Sequence, residues 1–222
     1  MTPADILSHV DHTLLKPEAT AADIEALCSE ALRCSVASVC VNPRFVSHCA
    51  GLLGGRIPVC TVIGFPLGAS AAAVKVFETK EAISSGADEV DLVIPIGALR
   101  SGALDEVSRE LFAVREASAG KVLKVIVETC LLNGEQKRTV CRLVAESGAD
   151  YIKTSTGFST GGATAEDISL FAREIACRRY PLKIKASGGI RTRADMERFL
   201  ALGADRLGCS AAVSLLGPLL DR

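Results

Sequence analysis

Two lysines and one aspartate stand among the apolar residues of predicted β-strands, where charged side chains are uncommon. They are Lys153, Lys185 and Asp91. Desolvation and a neighbouring cation both favour the neutral form of a lysine and can bring its pKa from about 10.4 down towards ~7 to 8. A neutral amine is the nucleophile that imine formation on a carbonyl requires. A lysine pair on adjacent strands, with Asp91 moving protons directly or through a water, therefore indicates imine chemistry.

Each of these charged residues also has a structural interpretation. A lysine can extend from a strand end to solvent, and this is what we expect of Lys183 and Lys124. Asp91 could be only an ion-pair partner of a barrel lysine. Asp11 could join the same network either as a functional or as a structural group.

A repeat places several of these residues at equivalent points. Three predicted helices end in Gly-Ala-Asp, at residues 86–88, 148–150 and 203–205. Gly reaches the left-handed conformation that ends a helix, and the apolar residues that follow favour a strand. Three residues past each Asp stand Asp91, Lys153 and Gly208. The repeat thus predicts a site that is assembled from several strand ends.

Strand-like and helix-like segments alternate along the whole chain. Strands are predicted at 36–41, 59–63, 121–128 and 182–186, after each of the three Gly-Ala-Asp turns, and more weakly at 9–14. Helices are predicted at 21–32, 72–85, 102–117, 134–146, 165–178 and 193–201, with a short one after Ser210.

This alternation predicts the α/β class and one domain over residues 1–222, an eight-stranded parallel β/α (TIM) barrel. A doubly wound open sheet is the alternative, but neither G-x-G-x-x-G nor G-x-x-x-x-G-K-[ST] occurs. Reacting groups of such barrels lie at the C-terminal ends of the strands, where we place Asp91, Lys153 and Lys185.

Glycine-rich turns follow the two lysine-bearing strands, at residues 157–162 and 187–191. Each precedes a helix with a capping signature, Thr164 with Asp167 and Thr192 with Asp195. Glycine lets the backbone approach an anion closely, and helix N-terminal N–H groups favour negative charge. A phosphate cup is therefore expected from Gly157, Gly188, Gly189, Arg191, Gly208 and Ser210.

Composition argues against other classes of function. The chain has 25 basic and 26 acidic residues and no Trp, so no nucleic-acid partner is expected. It has no apolar run of about 18 residues and no leader pattern, so we expect a cytoplasmic protein with no membrane contact. Its nine Cys contain no C-x-x-C pair, and we expect them to be buried small hydrophobic residues in a reducing compartment. His9 and His12 around Asp11 offer only a weak metal alternative, and no metal site is expected.

The sequence resembles the 2-deoxyribose-5-phosphate aldolase family, class I aldolases with a TIM barrel. The K-T-S-T-G-F stretch from Lys153 is the most specific part of the match. Further matching stretches are D-H-T-L-L-K-P-E-A-T from Asp11, C-V-N-P-R-F-V from Cys40, V-I-G-F-P-L-G from Val62, E-V-D-L-V-I from Glu89 and K-A-S-G-G-I-R from Lys185.

The resemblance implies reversible cleavage of 2-deoxy-D-ribose 5-phosphate into D-glyceraldehyde 3-phosphate and acetaldehyde. Lys153 would be the Schiff-base lysine, Lys185 the lysine that tunes it, and Asp91 the proton-relay acid supported by Asp11. Cys40 and Thr156 would contact the substrate. The partners would be the sugar phosphate, the aldehydes and further copies of the chain, and no cofactor is needed because the iminium accepts the electrons.

Two departures from the family pattern stand out: Pro95, where many relatives have Asn, and an end at Asp221-Arg222 without the Tyr-bearing tail of longer members. Two rival functions remain open at this point. One is a Schiff-base aldolase for a different sugar phosphate, and the other is a sugar-phosphate-binding barrel without chemistry.

Overall fold

Eight parallel strands close into a barrel in the computed structural model, which describes residues 1–220. Each strand pairs with its neighbours in chain order, and the last pairs with the first. The TIM-barrel prediction is therefore confirmed and the open-sheet alternative is wrong. The C-terminal departure at Asp221-Arg222 lies outside the described residues. The strands are β1 (Val10–Leu14), β2 (Ser38–Val41), β3 (Val59–Ile63), β4 (Glu89–Val93), β5 (Val122–Ile126), β6 (Tyr151–Lys153), β7 (Lys183–Ser187) and β8 (Arg206–Cys209).

Helices surround the barrel and cover the outer faces of its strands. They are α1 (Pro3–Leu7), α2 (Ala21–Cys34), α3 (Val46–Leu53), α4 (Ala72–Ser84), α5 (Ile96–Ser101), α6 (Leu104–Ala117), α7 (Gly134–Glu146), α8 (Ala165–Arg178), α9 (Arg193–Ala201) and α10 (Ala212–Leu216), with 3₁₀ turns at Pro43–Phe45, Thr129–Leu131 and Gly217–Leu219. The predicted bounds of α7, α8 and α9 are confirmed. Helices α1, α3 and α5 were not predicted, since none exceeds eight residues and so short a stretch shows little periodicity.

The three Gly-Ala-Asp turns are hydrogen-bonded alike, which explains why the triplet recurs. Their glycines have φ of +106°, +76° and +104°, the left-handed conformation that was predicted. Each Asp then exchanges two hydrogen bonds with the neighbouring strand. The N–H of Asp205 donates to Ile184 O (2.8 Å), and Asp205 Oδ2 accepts from Ile184 N (2.9 Å). Asp88 and Asp150 make the same pair of bonds with Val59 and Leu123.

The main apolar core lies between the strands' outer faces and the helices. A smaller apolar cluster inside the barrel is formed by Leu15, Cys40, Cys60 and Val62, with Phe65 against it. The middle of the barrel interior is instead filled by charged side chains. None of the helices in residues 1–220 has the length and apolar character needed to cross a membrane.

Candidate active site

Lys153 and Lys185 lie side by side on paired strands, as neighbours in the β6–β7 register. Lys153 is the last residue of β6, as predicted, but Lys185 and Asp91 are the third of five residues in β7 and β4. The prediction that all three stand at strand ends is therefore wrong for Lys185 and Asp91. Strand β6 stops early, whereas β4 and β7 continue for two further residues. Asp91 and Lys185 are fully buried within the barrel, whereas Lys153 also lines the cavity at its C-terminal end.

Asp91 binds both lysines with one carboxylate oxygen. Its Oδ2 accepts from Lys153 Nζ at 2.7 Å and from Lys185 Nζ at 2.6 Å. Its Oδ1 accepts from Lys124 Nζ at 2.8 Å and from the Cys60 thiol at 3.2 Å. Asp91 and Lys185 are fully buried and Lys153 is 3% exposed, so these contacts are shielded from water.

Lys124 corrects one of the sequence expectations. We expected its side chain to reach solvent, but it is fully buried and points inward beside Asp91, its register partner in β4. An inward-facing lysine in the middle of a barrel strand has no route to water. The same expectation is confirmed for Lys183, which is exposed at the first position of β7.

A second layer of charges lies beneath the first. Arg206 Nη1 donates to Asp11 Oδ1 at 2.6 Å, and its other terminal nitrogen donates to Glu89 Oε1 at 3.3 Å. Glu89 Oε2 is 2.6 Å from Lys124 Nζ, while Asp11 Oδ2 accepts from Lys185. The structure therefore brings the predicted Asp11 into the network. Sequence reasoning missed Glu89, Arg206 and the inward orientation of Lys124.

Neighbouring opposite charges keep four side chains in the charged form: Asp91, Asp11, Lys124 and Lys185. Burial raises the pKa of Asp91 and Asp11, but the facing cations outweigh it and keep both pKa values well below the usual range. Burial lowers the pKa of Lys124 and Lys185, but the facing carboxylates outweigh it and raise both pKa values well above the usual range.

Among residues 1–220, the network inside the barrel has four cationic and three anionic side chains. Lys185 contacts two carboxylates, Asp11 and Asp91, whereas Lys153 contacts Asp91 alone. Deprotonating Lys153 therefore breaks the fewest ion pairs and relieves the excess charge. The cations are Lys153, Lys185, Lys124 and Arg206, and the anions are Asp91, Asp11 and Glu89.

A cavity of about 310 Å³ opens over Lys153 at the C-terminal end of the barrel. Among the described residues, Lys16 is the other cationic side chain in its wall, and sequence reasoning missed it. The cavity contains six of the predicted substrate-side residues, Thr156, Gly157, Gly188, Gly189, Gly208 and Ser210, and its other lining residues are Thr13, Leu14, Leu15, Phe158, Ser187, Ile190 and Cys209.

Two predicted substrate-side residues lie elsewhere. Cys40 is fully buried in the apolar cluster inside the barrel, and Arg191 is exposed and outside the cavity wall. Thr156 is fixed by Glu128, which accepts hydrogen bonds from its N–H and its hydroxyl. Beside it, Phe158 packs edge-on against Phe65, with ring centroids 5.2 Å apart.

Gly208 makes room for the second lysine. A Cβ at this position would lie 3.2 Å from Lys185 Cε and 2.8 Å from Ser187 Cβ. The missing side chain at the third position of β8 is therefore as necessary to the site as the charged ones at the third positions of β4 and β6.

In the described part of the chain, two sets of donor atoms have the spacing of metal ligands. They are Cys40, Cys60 and Asp91, and Asp11, Cys60 and Glu89, each set within 4.8 Å. A cation at either place would lie against Lys124 or Lys185, whose charges the same carboxylates already balance, so the donor sets do not fit a metal ion. The predicted histidine alternative does not form either. His9 Nδ1 contacts Asp205 O, whereas His12 Nε2 contacts Glu30.

Known proteins are similar to this chain in sequence and in fold. Residues 6–212 match the sequence model of a family described as DeoC/LacD family aldolase. A deoxyribose-phosphate aldolase of Clostridium botulinum (strain Eklund 17B / Type B) is 49% identical over 97% of this chain and 96% of its own length. One of Streptococcus gordonii is 52% identical over 94% of each chain.

The fold comparison agrees with the sequence comparison. A solved tetrameric deoxyribose phosphate aldolase from Aeropyrum pernix superposes with a TM-score of 0.88 at 33% identity, over 99% of this chain and 92% of that one. The family match extends over most of the barrel and confirms the resemblance that the sequence showed. The chain therefore belongs to the DeoC/LacD family of aldolases, which are carbon–carbon lyases.

Proposed function

We propose that this aldolase reversibly cleaves 2-deoxy-D-ribose 5-phosphate into D-glyceraldehyde 3-phosphate and acetaldehyde through a Schiff base on Lys153. The observation that carries the proposal is the position of Lys153. Its amine lies at the cavity and donates to the buried carboxylate of Asp91, which also accepts from Lys185. The names of the relatives support the choice of substrate.

In the first half of the reaction, the neutral amine of Lys153 attacks the C1 aldehyde of the open-chain sugar. The carbinolamine that forms loses water and becomes an iminium ion. Asp91 is 2.7 Å from this amine and 2.6 Å from Lys185, so it can pass protons between the two nitrogens.

In the second half, a base removes the proton of the C3 hydroxyl, and the electron pair of that O–H bond forms the carbonyl of D-glyceraldehyde 3-phosphate. The C2–C3 bond breaks, and its electrons move into the iminium to give an enamine. Asp91, directly or through a water, is the base in this proposal. Protonation at C2 and hydrolysis of the iminium then release acetaldehyde and restore Lys153.

The phosphate is proposed to bind in the glycine turns after β6 and β7. Gly157, Gly188 and Gly189 line the cavity with φ of +85°, +81° and +76°, and Ser210 faces them from the end of β8. Backbone without side chains permits close approach of an anion to N–H groups. The ammonium of Lys16 adds positive charge to the same cavity.

We further propose that the chain works in the cytosol as an oligomer of identical subunits. All nine cysteines are free thiols in the structure, which suits a reducing compartment. The relative from Aeropyrum pernix is tetrameric. Cross-linking and sedimentation of the purified chain measure its assembly.

Product analysis tests the reaction. With 2-deoxy-D-ribose 5-phosphate the enzyme should release D-glyceraldehyde 3-phosphate and acetaldehyde in equal amounts, and fructose phosphates and keto acids should react far more slowly. Lys153→Arg, which keeps the charge but cannot form an imine, should release neither product. Faster cleavage of a fructose phosphate or a keto acid would assign the rival aldolase activity, and binding without cleavage would assign the non-catalytic barrel.

A further inference from the structure

A chain of alternating charges runs through the barrel from the cavity to the opposite end. Lys153 is the last residue of β6, whereas Glu89 and Arg206 are the first residues of β4 and β8. Since the first residues of parallel strands meet at the N-terminal end of a barrel, this pair lies at the end remote from the cavity. Neither residue is part of the cavity wall.

Two connected paths join this pair to the amine of Lys153. Glu89 contacts Lys124 at 2.6 Å, and Lys124 contacts Asp91 at 2.8 Å. On the other path Arg206 contacts Asp11 at 2.6 Å, and Asp11 accepts from Lys185, which also binds Asp91. Both paths end at the carboxylate that accepts from Lys153.

Water screens these charges little. The side chains of Arg206 and Glu89 are 13% and 5% exposed, and those between them and Lys153 are fully buried. Charges in such an interior interact over greater distances than they do at a surface. A charge removed at the far end therefore changes the potential at the amine of Lys153.

We infer that Glu89 and Arg206 set the pH at which Lys153 becomes the neutral nucleophile. The inference rests on the proposed function in that it takes Lys153 to be the nucleophile. Both are positioning residues that act through Lys124 and Asp11 and do not touch the substrate. Loss of the Glu89 charge makes the interior more positive, which favours the neutral amine at lower pH. Loss of the Arg206 charge has the opposite effect.

Other groups contribute to the same potential and stay constant in the comparison. They lie on strands β1 to β7 and in the loops after β1 and β5: Asp11 on β1, Cys40 on β2, Cys60 on β3, Asp91 on β4, Lys124 on β5, Tyr151 on β6, Lys183 and Lys185 on β7, with Lys16 and Glu128 in the two loops.

The test is the pH dependence of kcat/KM for sugar cleavage in the wild type, Glu89→Gln, Arg206→Met and the double variant. The acid limb of the profile is the range in which kcat/KM falls as the pH decreases. It should move to lower pH in Glu89→Gln and to higher pH in Arg206→Met, each by on the order of one pH unit. The double variant restores the original charge balance, so its acid limb should return close to that of the wild type.

Matched controls separate charge from structure. Arg206→Lys keeps the charge, so its acid limb should stay in place even if turnover falls. Arg142→Met and Glu146→Gln break a pair of the same kind on the outside of α7, where the two groups are 3.0 Å apart and exposed, and should leave the profile unmoved.

Two results would overturn the inference: profiles that do not move, or shifts of the same sign in both single variants. If Arg206→Met does not fold, Glu89→Gln decides, because an unmoved or upward limb contradicts the inference. Borohydride trapping of acetaldehyde on wild-type Lys153 tests the proposed function separately. No adduct there refutes the Schiff base, whereas an adduct together with unmoved profiles refutes only the role of Glu89 and Arg206.

Discussion

The contacts of Asp91 suit both of the roles that its sequence position left open. One oxygen faces Lys153 and Lys185, and the other faces Lys124 and Cys60. The proposed proton relay and a structural ion pair would therefore share the same carboxylate. A loss of stability on mutation cannot decide between them, and a loss of turnover in folded enzyme can.

Asp91→Asn should lower turnover by a factor on the order of 10² or more, because an amide keeps the size of the side chain but cannot carry the proton. It should also lower the thermal midpoint, since a buried negative charge among three lysines is lost. Turnover is measured well below the midpoint, with circular dichroism to show that the variant is folded. Near-normal turnover in the folded variant would leave Asp91 a purely structural role.

Lys185→Leu should reduce activity and move the onset of cleavage to higher pH, because the positive neighbour that favours a neutral amine on Lys153 is removed. Lys80→Leu is the control, an exposed lysine on the outer helix α4. It should leave the pH profile unchanged. An active Lys185→Leu enzyme with the wild-type pH profile would contradict the electrostatic role of Lys185.

Residue patterns identified the three proposed reacting residues better than they identified the charged residues that contact them. Lys153, Lys185 and Asp91 could be predicted because a charge between apolar strand residues stands out. Glu89 and Arg206 could not, since the first residue of a strand borders a polar turn and looks like part of it. Lys124 was misjudged because strand alternation shows that its side chain lies on one face without showing which face closes into the barrel.

The turns after β6 and β7 are packed backbone to backbone. A Cβ on Gly162 would lie 2.2 Å from Gly188 O, while Ala163 N donates to Ser187 O at 3.0 Å. Glycine is required there for packing as well as for any anion. Gly189 differs, because no atom lies within 4 Å of a Cβ built on it, although its φ is +76°.

Gly189→Val and Ser210→Ala should both impair cleavage of 2-deoxy-D-ribose 5-phosphate far more than cleavage of unphosphorylated deoxyribose. Ser210→Ala removes one hydroxyl worth about 1 to 3 kcal/mol at a charged partner, and Gly189→Val obstructs the backbone and should impair it more. The ratio of kcat/KM on the two sugars is the measurement, since backbone strain from valine affects both sugars. Equal losses on both would mean that these turns shape the cavity and hold no phosphate.

Element positions followed from periodicity wherever an element was long. The bounds of α7, α8 and α9 and of β3 were predicted to the residue. The eight-residue α3 breaks that pattern because it follows a 3₁₀ turn at Pro43–Phe45 and contains a glycine, so neither its start nor its apolar face is distinct in the sequence. The caps of α8 and α9 at Thr164 and Thr192 are confirmed.

At the scale of the molecule, a network of charged side chains occupies part of the barrel interior. Bulky branched side chains fill the interior of most barrels of this type. Here paired charges occupy the middle, and stability comes mainly from the apolar layer between strands and helices. The fold could be predicted from the alternation of strands and helices and from the Gly-Ala-Asp repeat. The charged interior could not, because only the closed barrel shows which strand faces point inward.

The network gives the free energy of unfolding a defined pH dependence. Asp11 and Asp91 have depressed pKa values, so their contribution is present above about pH 4 and is lost as the pH falls towards the folded values. Lys124 and Lys185 have raised pKa values, so their contribution to the free energy of unfolding is present below about pH 10 and is lost as the pH rises further.

Urea unfolding across pH should therefore show a plateau between about pH 5 and 9 and a decline on either side. Asp11→Asn should make the acid-side decline shallower, because one depressed carboxyl no longer takes up a proton on unfolding. Stability that increases steadily below about pH 4 would contradict the charged state of these carboxyls.

The identity of the Schiff-base lysine is tested most directly by borohydride reduction in the presence of acetaldehyde, followed by mass spectrometry of the digested protein. Lys153 should acquire an ethyl group with parallel loss of activity, while Lys185 and Lys124, held by two or more carboxylates each, stay unmodified. Lys153→Arg is the control and should take up no label. An ethyl group on Lys185, or full loss of activity with Lys153 unmodified, would contradict the assignment of Lys153 as the nucleophile.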